Sequence, residues 1–221
     1  MLYIKLFILT LVLPVALWSQ SIVTLEQRTI TWKIEKDTSI VNWNSSFKGY
    51  EELSQQEKDI FYWTNYSRKN PVKFWDSVVM PLISIYPQLS GKYAASLKAD
   101  LFRSGSLPMF SLNSTLNSTA RAHAIDIAGK SATVSHTSTD GTSFSNRLQN
   151  AGIKYCGSEN MSVGSGDVVL SLALLYLDIG LEDLGHRKTL LNPTYVEMGV
   201  SSAKYGISQT FFVQDFSCKQ D

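Results

Sequence analysis

Apolar residues recur at helical spacing through the first two thirds of the chain and alternate with polar ones only near its end. That order restricts the folds open to it. Ser54-Gln-Gln-Glu57 has the form of a capping box, in which the Ser hydroxyl accepts the N–H three residues on and the Glu reaches back. A helix is expected to follow through Ile60, Trp63 and Ser67 and to stop at Asn70-Pro71, because the residue before proline is driven out of the helical region. A second helix starts at Pro71, with Phe74, Val78 and Leu82 on one face and a kink at Pro81. Leu116, Ala120, Ala124 and Ile127 form the apolar stripe of a third helix that Gly129 ends. A short helix over 143–151 turns Phe144 and Leu148 inward. Asp167 caps a helix over 168–178 so apolar that burial on nearly every side is expected. Strands are expected over 198–202 and 210–216. Helices first and strands last give an α+β fold in segregated layers, not a doubly wound sheet.

The N-terminus reads differently. In MLYIKLFILTLVLPVALWSQ, Lys5 precedes an apolar run from Leu6 to Leu17, and the small Ser19 suits a cleavage site. This is the pattern of a secretory signal peptide over 1–20, and the run is short for a membrane span. An uncleaved anchor is the alternative. Residues 21–53 form an N-terminal extension in which Ile30, Trp32 and Ile34 alternate like a short strand, and 54–221 form the main domain. No second run is long enough to cross a bilayer, so the mature chain is expected to lack a transmembrane span and to be secreted, extracellular or periplasmic. Of 20 basic and 19 acidic residues, removal of 1–20 takes away only Lys5, leaving 19 against 19. No basic patch points to nucleic acid, and no polybasic run points to an anionic membrane. Cys156 and Cys218 are an even pair, which in an exported protein invites a disulfide; two buried thiols are the alternative.

Among 221 residues there are three histidines. His123 lies mid-helix among Ala120, Ala124 and Ile127 and reads as a packed structural residue. His136 lies in a loop of small hydroxyl residues, SHTSTDG, and is either a site residue or a partner of the Asp140-Gly141 turn. Arg147 is expected to fix that turn by pairing with Asp140. His186 follows an acidic stretch, Asp178 to Asp183, and either joins a site or opens a short helix that pairs with those acids. Glu159, in CGSENM, stands among neutral residues and needs a donor such as histidine. Two histidines and a carboxylate brought together would make a cation site or an acid–base pair. Ser135, beside His136, is a weak candidate nucleophile because adjacency in sequence does not give hydrogen-bond geometry. There is no G-x-S-x-G elbow, no H-E-x-x-H helix and no glycine-rich phosphate loop, and the cysteines lack zinc-ligand spacing.

The segments TNYSRKNPVKFW, ARAHAIDIAG, SHTSTDGTSFSNRL, GSENM, GHRKTLLNPTYVEMGV and FFVQDF, in that order, resemble the CAP superfamily of cysteine-rich secretory, antigen 5 and pathogenesis-related 1 proteins. The likeness is to the short bacterial SCP-like domains and covers roughly 57–218. It implies an α-β-α sandwich with a small antiparallel sheet and a cleft lined by two histidines and two acids. Carried over, His136 is the first cleft histidine, Glu159 the acid of the Gly-Glu-Asn-type motif, with Ser158 where that motif has glycine, and His186 the histidine of the Gly-His motif. Asp178, or else Glu182, takes the fourth place. The resemblance implies a secreted module that binds a lipid, a sterol or another cell-surface or cell-envelope ligand. A metal-dependent hydrolase or peptidase, with a divalent ion such as Zn on His136 and His186 and Glu159 as base, is the second reading. A polar network that only stiffens the domain is the third.

Overall fold

The computed structural model describes residues 23, 25, 26 and 28–220. The signal-peptide reading of 1–20 lies outside them. Residues 28–37 have no regular structure, so the strand expected at Ile30–Ile34 does not form: these side chains drop onto the helical core without a strand partner. Helix α1 (Thr38–Ser45), capped by Asp37, follows and buries Ile40 in that same core. Helix α2 (Gln55–Lys69) has the capping box at Ser54 and Glu57 and ends before Pro71, as expected.

Pro71 opens α3 (Pro71–Phe74), which runs through a π-helical turn (Trp75–Val79) into α4 (Met80–Ile85). A proline ring within an α-helix clashes with the carbonyl four residues back. The widened turn, in which the Met80 N–H reaches the Trp75 carbonyl, accommodates Pro81 while Phe74, Val78 and Leu82 stay buried. Helix α5 (Lys92–Ser104) follows Gly91 and buries Leu97 and Leu101. Next come β1 (Ser111–Leu112), α6 (Ser114–Gly129, capped by Asn113), α7 (Phe144–Asn150, capped by Ser143) and β2 (Gly157–Gly164). The chain ends with α8 (Val168–Leu177), α9 (Gly185–Leu190), β3 (Glu197–Tyr205) and β4 (Gln209–Ser217).

Among the described residues the sheet has the order β1-β3-β4-β2, antiparallel except for the short β1–β3 pair. Alternation along β4 divides the core. Phe211 and Val213 pack under Ala120, Ala124 and Ile127 of α6. Phe212 and Phe216 face the other way, into the larger core of α2, α5 and α8. The result is the three-layered α-β-α sandwich. Helix α6 lies so close to β3 that a Cβ at Gly199 would fall 2.1 Å from the Leu116 carbonyl carbon. Each fully buried Leu or Phe contributes roughly 1.5–3 kcal/mol.

Buried arginines join the layers. Arg68 of α2 is fully buried and donates to the carbonyls of Pro108, Leu190, Asn192 and Tyr195 at 2.8–3.0 Å. Burial pulls its pKa down to about 10, so it keeps its charge at neutral pH. Asn65, one turn earlier, accepts the Phe110 N–H and donates to the Phe110 carbonyl and to Asn44. The TNYSRKNP segment thus does structural work.

Cys156 and Cys218 form a disulfide with a Cα–Cα distance of 5.6 Å, clamping the start of β2 to the end of β4. It closes a loop of sequence separation 62. By the chain-entropy relation such a crosslink is worth about 4 kcal/mol. Reduction is expected to lower the unfolding free energy by that order while the far-ultraviolet dichroism of the native state persists. Urea titrations with and without reductant measure the difference.

Candidate functional site

The loop from α6 to α7 is pinned before it presents anything. His123 is fully buried, and its Nε2–H donates to the Ser135 carbonyl at 2.8 Å. Its Nδ1 then accepts from the Ser138 hydroxyl at 3.3 Å, which fixes the neutral tautomer. Burial pushes the His123 pKa down, in keeping with that assignment. Asp126 receives the Thr139 N–H, and Asp140 caps the turn by accepting the Thr142 N–H at 2.8 Å. The Ser135 hydroxyl accepts the Thr137 N–H, a turn contact and not the geometry of a nucleophile.

This loop sets His136 against Glu159. The Nδ1–H of His136 donates to Glu159 Oε1 at 2.8 Å, and the imidazole stays 38% exposed while the carboxylate is fully buried. Arg147, on α7, supplies the second partner: its guanidinium donates to Glu159 Oε2 at 2.5 Å, to the His136 carbonyl at 2.8 Å and to the Ser138 hydroxyl at 3.2 Å. The expected Arg147–Asp140 pair is therefore corrected. Asp140 satisfies itself on the turn backbone, and the buried carboxylate is the stronger claim on a guanidinium. Burial works to raise the Glu159 pKa, but the His136 hydrogen bond and the Arg147 charge hold it below the ordinary carboxylate value.

The second histidine has its own carboxylate. Asp178 ends α8 in the left-handed region at φ 50° and is fully buried. It accepts the His186 Nδ1–H at 2.6 Å and the Arg187 N–H at 2.9 Å. Arg187, also fully buried, holds this corner by donating to the carbonyls of Tyr176 and Leu177. The His186 side chain is 21% exposed. Glu182, the other acid considered, points to Lys92 at the surface.

Each imidazole is bonded to a different carboxylate. Glu159 and Asn160 are consecutive on β2 and so point to opposite faces. Glu159 lies on the α6 face, opposite Asp215 of β4, whereas Asn160 donates to the His186 carbonyl at 3.3 Å on the α9 side. Among the described residues no three His, Cys, Asp or Glu side chains converge as a metal site requires. The expected set of His136, His186 and Glu159 around one Zn ion is not among such groups: His136 is bonded to Glu159 and His186 to Asp178. The donor set does not fit that ion.

Asp215 was missed by sequence reasoning. An acid inside the apolar alternation of FFVQDF was the available signal, since a buried carboxyl always requires an account of its partner. It is fully buried, and burial, then the Glu159 charge, push its pKa well above the ordinary value.

No curated protein matches the chain. The family model of the CAP, or cysteine-rich secretory protein, family matches residues 64–216. The chain belongs to the CAP family. Among solved structures, an extracellular SCP-domain protein from Bacillus anthracis is similar at 21% identity and TM-score 0.47, over 74% of this chain and 40% of that one. An outer surface protein from Borrelia burgdorferi is similar at 18% identity and TM-score 0.43, over 58% of this chain and 90% of that one. A cysteine-rich secretory protein from Staphylococcus aureus gives 21% identity and TM-score 0.37, over 57% of this chain and 36% of that one. The chain thus spans well under half of the Bacillus and Staphylococcus chains. The family assignment rests on the 64–216 match.

In this CAP domain, Arg147→Met leaves the Glu159 charge buried without its guanidinium partner. Breaking a buried pair in this way costs about 3–5 kcal/mol. The Glu159 pKa is lowered, so its contribution is present above the ordinary carboxylate value of 4.5 and is lost as pH falls through the folded-state value. The penalty of Arg147→Met is expected to be largest near neutrality and to shrink in acid. Denaturant unfolding of both proteins across that range gives the comparison.

Proposed function

We propose that this CAP-family chain is an exported binding module for a cell-envelope ligand, recognised through the partly exposed imidazoles of His136 and His186. One observation carries the reading: each imidazole is anchored through Nδ1 to a fully buried carboxylate while part of its ring stays open to solvent. Such anchoring fixes ring direction and favours a standing recognition group. Export is supported by the apolar run at Leu6–Leu17 and by the disulfide, a bond that persists in oxidising compartments. No helix of the described residues is long and apolar enough to cross a membrane. A lipid or sterol is the first ligand class to try, and surface polymers of the envelope are the second. The hydrolase reading is disfavoured, because among the described residues no three His, Cys, Asp or Glu side chains gather as its metal would need and because the Ser135 hydroxyl is engaged in a turn.

Co-sedimentation with lipid vesicles, with and without sterol, and with isolated envelope fragments tests this. Saturable binding to one of them is expected, weakened about tenfold or more by His136→Ala or His186→Ala, each loss being near the 1.4 kcal/mol of one net hydrogen bond. Absence of saturable binding to every preparation, or binding indifferent to both substitutions in folded protein, contradicts the proposal.

A further inference from the structure

Asp215 belongs to neither recognition group, yet it sits against one of them. It is paired in register with Glu159 across β2 and β4, which puts the two carboxyls on one face of the sheet, roughly 4.5–5.5 Å apart at Cβ. Glu159 has a donor on each oxygen, His136 on Oε1 and Arg147 on Oε2. Asp215 has neither: Oδ2 lies 2.6 Å from the Thr119 hydroxyl, and Oδ1 has no hydrogen-bond partner among the described residues.

The Thr119 hydroxyl decides where the proton is. It lies 2.9 Å from the Leu116 carbonyl, which can only accept, and 2.6 Å from Asp215 Oδ2. A hydroxyl has one proton to give. If Asp215 is neutral, both contacts are satisfied: Asp215 Oδ2–H donates to Thr119, and Thr119 donates to Leu116. If Asp215 is ionised, one contact fails and a bare carboxylate sits out of water beside a second one. The surrounding groups point the same way. From α6 it faces Thr119; from α7, the charge of Arg147; from β2, Glu159; and its register partner on β3 is Gly199. The Arg147 guanidinium bonds to Glu159 and not to Asp215.

We infer that Glu159 and Asp215 form a one-proton carboxyl pair, with the charge on Glu159 and the proton on Asp215, and that loss of this proton is a pH-sensitive release of the His136 loop. Ionised Asp215 would compete with Glu159 for Arg147, the side chain that also holds the His136 carbonyl and Ser138. This inference goes beyond the binding role and does not depend on which ligand is bound.

The sign follows from the raised Asp215 value. Its neutral form is favoured by folding, so its contribution is full below the ordinary carboxyl value of 3.8 and declines as pH rises from there toward the folded-state value. Asparagine has the same shape and no such decline. The melting temperature of Asp215→Asn minus that of the wild type is therefore expected to grow with pH above about 4. Infrared difference spectra at neutral pH should show a protonated-carboxyl carbonyl band in the wild type that D215N lacks. In Glu159→Gln the same band should disappear at lower pH than in the wild type, because the neighbouring charge is gone and Arg147 is released. Amides of the 136–142 loop should exchange roughly tenfold faster in wild type than in D215N once Asp215 ionises, matching one unit of pH-linked opening. A neutral-pH band that survives D215N but vanishes in E159Q puts the proton on the other carboxyl and overturns the assignment. Absence of any such band, parallel melting curves, or loop exchange identical in both proteins also overturns it. Should D215N fail to fold, the titration of the band in wild type against E159Q decides alone.

Discussion

A carboxylate taken wholly out of water at Glu159 sets the terms for everything around it. Removing an ion of this size from water costs several kcal/mol even after relaxation, and only close, well-directed donors offset that. Glu159 has two, and both are tied to the loop as well as to the acid. His136 is the loop's own side chain, and Arg147 also holds the loop's carbonyl at residue 136 and its hydroxyl at residue 138. One buried charge therefore fixes the course of the α6–α7 loop and the direction of its exposed imidazole. Removing the charge takes from Arg147 the carboxylate it is bonded to.

The same arrangement recurs with different parts at the end of α8. Asp178 sits at the left-handed end of α8, and its two oxygens catch His186 and the N–H of Arg187. Arg187 in turn closes onto the last carbonyls of α8 and onto Asp100 of α5. Each pair is a buried acid, a part-exposed imidazole and a nearby arginine. This chain thus carries two anchored imidazoles, each on its own buried acid.

Much of the frame was legible because local rules and tertiary needs agree. The capping box at Ser54 and Glu57, the stripe of α6, the Asp167 cap and the alternation of β4 all read the same way in sequence and in space. The unread elements lack such agreement. Strand β2 reads GSENMSVG, with polar residues on both faces, so no apolar alternation announces it; its place depends on β4 and on the Glu159 and Asn160 contacts. Residues 30–34 alternate like a strand but find no partner, and their side chains pack onto helices instead. Of the site, the residue types were legible from the motifs, and their grouping was not. Which carboxylate each imidazole meets depends on how the helices and sheet pack, and Arg147's choice of Glu159 over Asp140, nearer in sequence, is decided by burial, which spacing does not encode.

The division of the histidines into two pairs is the claim most open to direct measurement. Isothermal titration of the folded protein with Zn²⁺, alongside His136→Ala and His186→Ala, tests it. Two separate pairs predict weak binding at most, with each substitution removing only its own contribution. A tight site of one ion per chain, abolished by either substitution alone, would mean that both imidazoles meet on one ion and would contradict the account.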